Sequence, residues 1–169
     1  MDLRARQRPI KEGYRERPEA ARITLSASGA TAGDATACAV DLGRLIQEAQ
    51  AHEGVGGPGT GACSGDLLLG ALAACAQITC QMVAAATGIR TERIEVTAEG
   101  DLDLRGTLGV DRDAAVGFAA IRLRLEVDAP DATANELAGL KARTERYCTV
   151  LQTLLDPPPI EITLAAGPA

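Results

Sequence analysis

The stretch Asp66-Leu-Leu-Leu-Gly-Ala-Leu-Ala-Ala-Cys75-Ala-Gln-Ile-Thr-Cys80 decides how this chain folds. Wound at about 100° per residue, it shows apolar side chains on every face, so it reads as a central helix surrounded by protein. Ser64 or Asp66 is its expected cap and Gly88, following Thr87, its expected stop. Leu68, Leu72, Cys75, Thr79 and Met82 share one side of this helix, while Cys80 points about 140° away from Cys75. These two cysteines therefore cannot pair with each other.

Outward from the helix the hydrophobic period changes. Arg93-Ile-Glu-Val-Thr-Ala-Glu99 and Ile121-Arg-Leu-Arg-Leu-Glu-Val127 alternate, which predicts two antiparallel strands with one wet face. Residues 132–147 form a second helical pattern, a short helix continues after Cys148, and Pro157-Pro-Pro159 stops it ahead of a final strand, Ile160-Glu-Ile-Thr-Leu164. Upstream, residues 22–27 and 35–42 alternate around Ser28-Gly-Ala-Thr-Ala-Gly-Asp34, a hairpin pattern. Residues 43–51 read as a short helix. Gly54-Val-Gly-Gly-Pro-Gly-Thr-Gly61 can only be a loop, either a lid or a subunit contact. Residues 1–20, charged and interrupted by Gly13 and Pro18, read as an arm that docks on a partner, ahead of a single domain over 21–169. Strands, helix, strands, helices and strand in that order indicate α+β.

Composition narrows the function. A chain of 169 residues can bury one core without disulfides or metal. Its net charge is −6 with Lys and Arg scattered, which argues against nucleic acid and anionic membranes as partners. With Tyr14, Tyr147 and Phe118 as the only aromatics, ligand walls must be aliphatic and suit an aliphatic or small ligand. The N-terminus has no apolar leader, and the longest apolar run is broken by Gln77, Thr79 and Gln81, so a soluble cytoplasmic chain is expected. Five cysteines, an odd number at irregular spacing, read as reduced thiols rather than a disulfide framework.

Most of these thiols have an ordinary reading. Cysteine in an Ala/Leu helix is usually packing, and Cys38 and Cys80 are taken that way. Cys63 stands at the mouth of the central helix, where backbone N–H groups favour a thiolate. His52 with Cys63 supplies two metal-ligand types, but no spacing supports a metal site, so His52 reads as a solvated loop residue. The glycines of 54–61 lack the Lys-Ser/Thr ending of a phosphate loop.

Two segments carry a family resemblance. Leu67-Leu-Leu-Gly-Ala-Leu-Ala-Ala-Cys75 resembles the leucine-alanine run that ends in the reactive cysteine of the OsmC/Ohr proteins, the osmotically inducible protein C and organic hydroperoxide resistance family. Glu145-Arg-Tyr-Cys148 falls where that family carries its second cysteine, and residues 88–103 resemble its strand after the central helix. The resemblance covers roughly residues 60–164. It implies an OsmC-like fold with antiparallel sheets around a buried central helix, an intertwined homodimer with active sites at the subunit interface, and a cofactor-free thiol peroxidase reduced by a small dithiol or lipoyl-type partner.

In such chemistry a thiolate attacks the distal peroxide oxygen to give a sulfenic acid, which a second thiol condenses into a disulfide. Cys75 is the candidate for the first role and Cys148 for the second. The family also implies an arginine from the N-terminal half, held by a glutamate nine or ten residues before the reactive cysteine. This chain has Gly65 and Asp66 there, so Asp66 is the candidate carboxylate, acting through one of Arg8, Arg15, Arg17, Arg22 or Arg44. Where the family commonly has proline after the second cysteine, this chain has Thr149. The alternative function is a non-catalytic OsmC-like protein that binds a small hydrophobic or acyl ligand in an interface pocket.

Overall fold

The computed structural model describes residues 28–31, 37–41, 46–109 and 111–165. The expected arm over 1–20 and the strand over 22–27 lie outside them. Three short strands, β1 (Ser28–Thr31), β2 (Ala37–Asp41) and β3 (Ile46–Gln50), form one antiparallel sheet in that order. Helix α1 (Ser64–Thr87) follows, and then β4 (Arg93–Asp101), the single turn α2 (Leu104–Thr107) and β5 (Ala120–Asp128). Helices α3 (Ala134–Tyr147) and α4 (Thr149–Leu155) complete an α+β fold.

Three expectations need correction. Residues 46–50, within the segment expected to be helical, are β3, because backbone pairing with β2 from Asp41↔Ile46 to Ala37↔Gln50 overrides the helix preference of Gln, Glu and Ala. Ser28–Thr31, expected in a turn, pair with Cys38–Asp41 as β1. Residues 160–164, expected as a strand, pair with nothing among the described residues and leave Ile160, Ile162 and Leu164 82%, 90% and 94% exposed. A strand needs a neighbour for its N–H and C=O groups, and among the described residues β4 and β5 pair only with each other.

Strands β4 and β5 match the alternation in their sequence. Ile94, Val96, Ala98, Ile121, Leu123, Leu125 and Val127 turn toward the helices. On the wet face Arg122 bridges Glu99 and Asp101, and Arg124 pairs with Glu126 at 2.6 Å.

Helix α1 lies across this sheet. Its cap is Cys63, rather than Ser64 or Asp66, and Asp66 instead accepts the Cys63 N–H at 2.8 Å from the first turn. Gly88, at φ 78°, supplies the left-handed stop, and the Ile89 N–H returns to Ala84 O at 3.0 Å. By length and hydropathy α1 is apolar enough to cross a membrane, but Leu72, Ala76, Cys80, Val83 and Ala84 are buried against the chain's own sheet and helices. Gln77, which interrupts the apolar run, donates to Ile94 O at 2.8 Å and ties α1 to β4. The described chain covers only this one side. Leu68, Ile78 and Met82 on the remaining surface stay exposed.

Helix α3 begins with a reciprocal cap, Thr133 N–H on Glu136 Oε2 and Glu136 N–H on Thr133 Oγ1. Its Leu140, 1% exposed, packs against Cys80, Val83 and Ala84. Leu140→Ala removes the centre of that contact and should cost about 3 kcal/mol in urea unfolding, with an unchanged m-value.

Candidate active site

The site is made by a break in the last helical stretch. Cys148 leaves helical geometry at φ −73°, ψ 103°, and serves both as the end of α3 and as the cap of α4. Its N–H donates to Thr144 O at 3.0 Å, while its C=O accepts from the Gln152 N–H at 2.9 Å. The Gln152 side chain staples the two helices by donating to Glu145 O at 2.9 Å. This corner turns Cys148 inward, fully buried beside Leu72 and Ala76 of α1, with Cys75, Val150 and Leu151 packed around them.

The two cysteines that the sequence singled out thus come together, and both are free thiols. Cys75 is half-buried and Cys148 buried. Burial pushes the Cys75 thiol up. Four hydrogen bonds outweigh it and hold the group below its ordinary value: the Val150 N–H, the Cys148 thiol, the Thr79 hydroxyl and the Thr149 N–H. Each donor favours the charged form because it points at the developing negative sulfur. Cys148 moves the other way. Burial raises it first, and the neighbouring Cys75 sulfur adds to the rise despite N–H groups from Leu151 and Val150. The pair is therefore asymmetric, with the more accessible sulfur the readier to ionise.

Two of these donors were not foreseen from sequence. Val150 and Thr149 act through backbone N–H groups, which no side-chain motif announces. Thr149 has a donor because it is not proline, so the departure from the family pattern adds a hydrogen bond to Cys75. Thr79 was legible, one turn beyond Cys75 on the same helix side.

Asp66 lies elsewhere, at the opening turn of α1. The Cys63 N–H, then the Cys63 thiol, hold its carboxyl below the usual range against a small opposing effect of burial. A depressed folded-state value means that this cap contributes fully above the unfolded value and is lost as pH falls through the folded one. The arginines expected to link Asp66 to Cys75 lie outside the described residues. A cavity of about 570 Å³ opens beside this turn, lined by His52, Cys63, Leu68, Leu104 and Phe118, and none of these residues hydrogen-bonds Cys75. His52 is exposed, as expected, and its Nδ1 accepts the Gly54 N–H at 3.0 Å. No group of metal-ligand side chains gathers among the described residues. Cys80 is buried and packed, as read, with its thiol pushed up by burial and eased by the Thr144 hydroxyl. The glycine loop is pinned to β3 through Gln50, whose N–H donates to Ala62 O at 2.9 Å and whose Oε1 accepts from Thr60 at 3.0 Å.

Comparison with known proteins agrees with this architecture. Residues 57–163 match the OsmC-like protein family model. No curated protein matches the chain. Solved structures share the fold at low identity. The OsmC-like protein of Mycoplasma pneumoniae is 18% identical with a TM-score of 0.66, over 80% of this chain and 89% of that one. An organic hydroperoxide resistance protein from Elizabethkingia anophelis is 20% identical with a TM-score of 0.59, over 80% and 91%. The organic hydroperoxide resistance protein of Bacillus subtilis is 20% identical with a TM-score of 0.52, over 80% and 93%.

Thr149→Pro isolates one donor. Position 149 opens α4, where proline is favoured, and Cys148 before it is already extended, so folding should survive. Iodoacetamide alkylation of Cys75, followed against pH by mass spectrometry, should shift toward higher pH and slow roughly several-fold at neutral pH, with an unchanged or raised melting temperature.

Proposed function

The chain belongs to the OsmC-like protein family, and on that footing we propose that it is a thiol-dependent peroxidase that reduces organic hydroperoxides through a Cys75–Cys148 cycle. One observation carries the reading. A half-buried thiol is held toward its thiolate by four hydrogen bonds, one of them from a second, buried thiol. Structural packing alone does not call for that arrangement, whereas a two-thiol oxidation cycle does. The naming of similar structures as organic hydroperoxide resistance proteins supports the substrate class.

The Cys75 thiolate attacks the distal oxygen of R–O–O–H. An S–O bond forms, the O–O bond breaks, and the departing alkoxide takes a proton to leave as an alcohol. Cys75 is then a sulfenic acid. The Cys148 sulfur attacks it, an S–S bond forms, and the hydroxyl leaves as water with the Cys148 proton. The two cysteines pack in one cluster, which favours this step. A small dithiol or lipoyl-type reductant returns the disulfide to two thiols and is itself oxidised to a disulfide. We place the cycle in the reducing cytoplasm, in keeping with the free cysteines. Asp66 enters as a positioning residue only. Its carboxylate stands about 13 Å along α1 from Cys75 and acts through an arginine of the N-terminal segment.

Peroxide consumption with a dithiol donor tests the division of labour. Cys75→Ser should abolish reduction of cumene hydroperoxide, by at least about a hundredfold. Cys148→Ser should complete one stoichiometric turnover and then stall as a sulfenic acid, trapped by dimedone. Equal and complete loss in both variants, with no first turnover, would sink the assignment.

We also propose that the working unit is an intertwined homodimer. Leu68 and Ile78 of α1 and the alternating Ile160, Ile162 and Leu164 are exposed aliphatic side chains that a partner subunit would cover. Light scattering at micromolar concentration should give a mass near twice 17.4 kDa.

A further inference from the structure

A groove of about 620 Å³ runs between α1 and α3 and reaches Thr79 and Thr149, the two residues beside Cys75. Thr79 and Thr149 wall its inner end, and both hydrogen-bond Cys75. Val83 and Ala84 pack on Leu140, while Leu72 and Ala76 pack on Cys148, so the two helices run antiparallel along the groove. Moving outward from Cys75, the wall passes Met82, Val83 and Ala86, all aliphatic in character. From Thr79 to Thr87 the wall rises about 12 Å.

Among the described residues that line the groove, Arg143 of α3 is the one that carries a charge, and none is a carboxylate. Arg90, Arg93, Arg105, Arg122 and Arg124 each hold an acidic side chain, and Arg146 lies over the Tyr147 ring at 5.6 Å. Arg143 holds no acidic partner among the described residues. It precedes Cys148 by about 7 Å along the helix axis. Its side chain lies back over Gly139, where an added Cβ would fall 2.9 Å from Nη1. That glycine gives the guanidinium room one turn back along α3, on the side away from Cys148. In a chain of net charge −6, a cation that lines an aliphatic groove and has no acidic partner among the described residues is complementary to an anion.

We propose that Arg143 anchors the carboxylate of an aliphatic hydroperoxide lying in this groove, so that its peroxide group reaches Cys75. The inference rests on the peroxidase reading for the reacting end, while the anionic anchor stands on the groove itself. Arg143 is then a specificity residue. It binds acid and transition state alike, so its effect belongs in KM rather than kcat. An arginine–carboxylate pair open to solvent is worth up to about 1 kcal/mol, a factor of roughly five, and the pair weakens as salt rises.

The test compares a hydroperoxydecanoic acid with its methyl ester on the full chain. Wild type should prefer the acid by roughly fivefold in kcat/KM at low salt, through KM. Arg143→Gln should bring the acid down to the level of the ester, Arg143→Lys should keep most of the preference, and Arg143→Glu should reverse it. Calorimetry with decanoate and decanol supplies a readout that needs no peroxidase activity. Decanoate should bind wild type more tightly than decanol does, and Arg143→Gln should erase the difference. If neither hydroperoxide is reduced but decanoate binding depends on Arg143, the peroxidase reading fails and the anionic anchor stands. Acid and ester reduced equally, or decanoate bound no better than decanol, overturns the inference whatever the activity.

Discussion

The β4–β5 sheet, α3 and α4 are all arranged around one packed face of α1. Leu72, Ala76, Cys80, Val83 and Ala84 give that face its buried side chains, and the sheet, α3 and α4 are each held where they are by contact with it. The face sets two clusters in line. Near the end of α1, Cys80, Val83 and Ala84 close on Leu140 of α3. Farther back, Leu72 and Ala76 close on Cys148. Because the first cluster fixes the direction of α3, the corner after Tyr147 is bound to deliver Cys148 beside Cys75. Packing at a distance from the sulfurs thus sets which sulfurs meet.

The chemistry of the pair comes from a contest between burial and hydrogen bonding. An apolar setting disfavours a thiolate, and most of the surroundings of Cys75 are Leu, Ala and Val. A hydrogen bond to a charged group is worth about 1.5–3 kcal/mol, so several donors aimed at one sulfur exceed the cost of a half-buried site. Cys148 receives N–H groups as well, but it is fully buried and the Cys75 sulfur beside it adds to the rise, so burial prevails there. The same corner that buries Cys148 aims the Thr149 and Val150 N–H groups at Cys75. Acid strength and partner geometry thus come from one structural feature.

Where the sequence misled, pairing was responsible. Residues 46–50 carry helix-favouring Gln, Glu and Ala, yet they form a strand because β2 offers a matching edge. Ser28–Thr31 carry little strand preference and pair nonetheless. Residues 160–164 have an alternating strand pattern and, among the described residues, no edge to join. In each case the local pattern reports what a segment tolerates, whereas a strand exists only through its neighbour. Helix α1 went the other way. Its hydrogen bonds are internal and its stop is Gly88, so its extent was legible from the residues within it.

The sequence by itself determined the long apolar helix with Cys75 inside it, the alternating strands β4 and β5, the stop at the prolines, and the candidacy of Cys75 and Cys148. The helix, the strands and the stop depend on side-chain period and on residue types that act locally, whereas the candidacy of the two cysteines rests on the resemblance to the OsmC/Ohr proteins. Tertiary structure alone decided that the two sulfurs share a hydrogen bond, that Asp66 caps the helix through Cys63, and that backbone N–H groups from Thr149 and Val150 bear on Cys75. Backbone donors carry no residue identity, and their aim is set by where α3 ends against α1. A sulfur's acidity depends on distances across the fold, and those distances do not exist until the helix faces have packed.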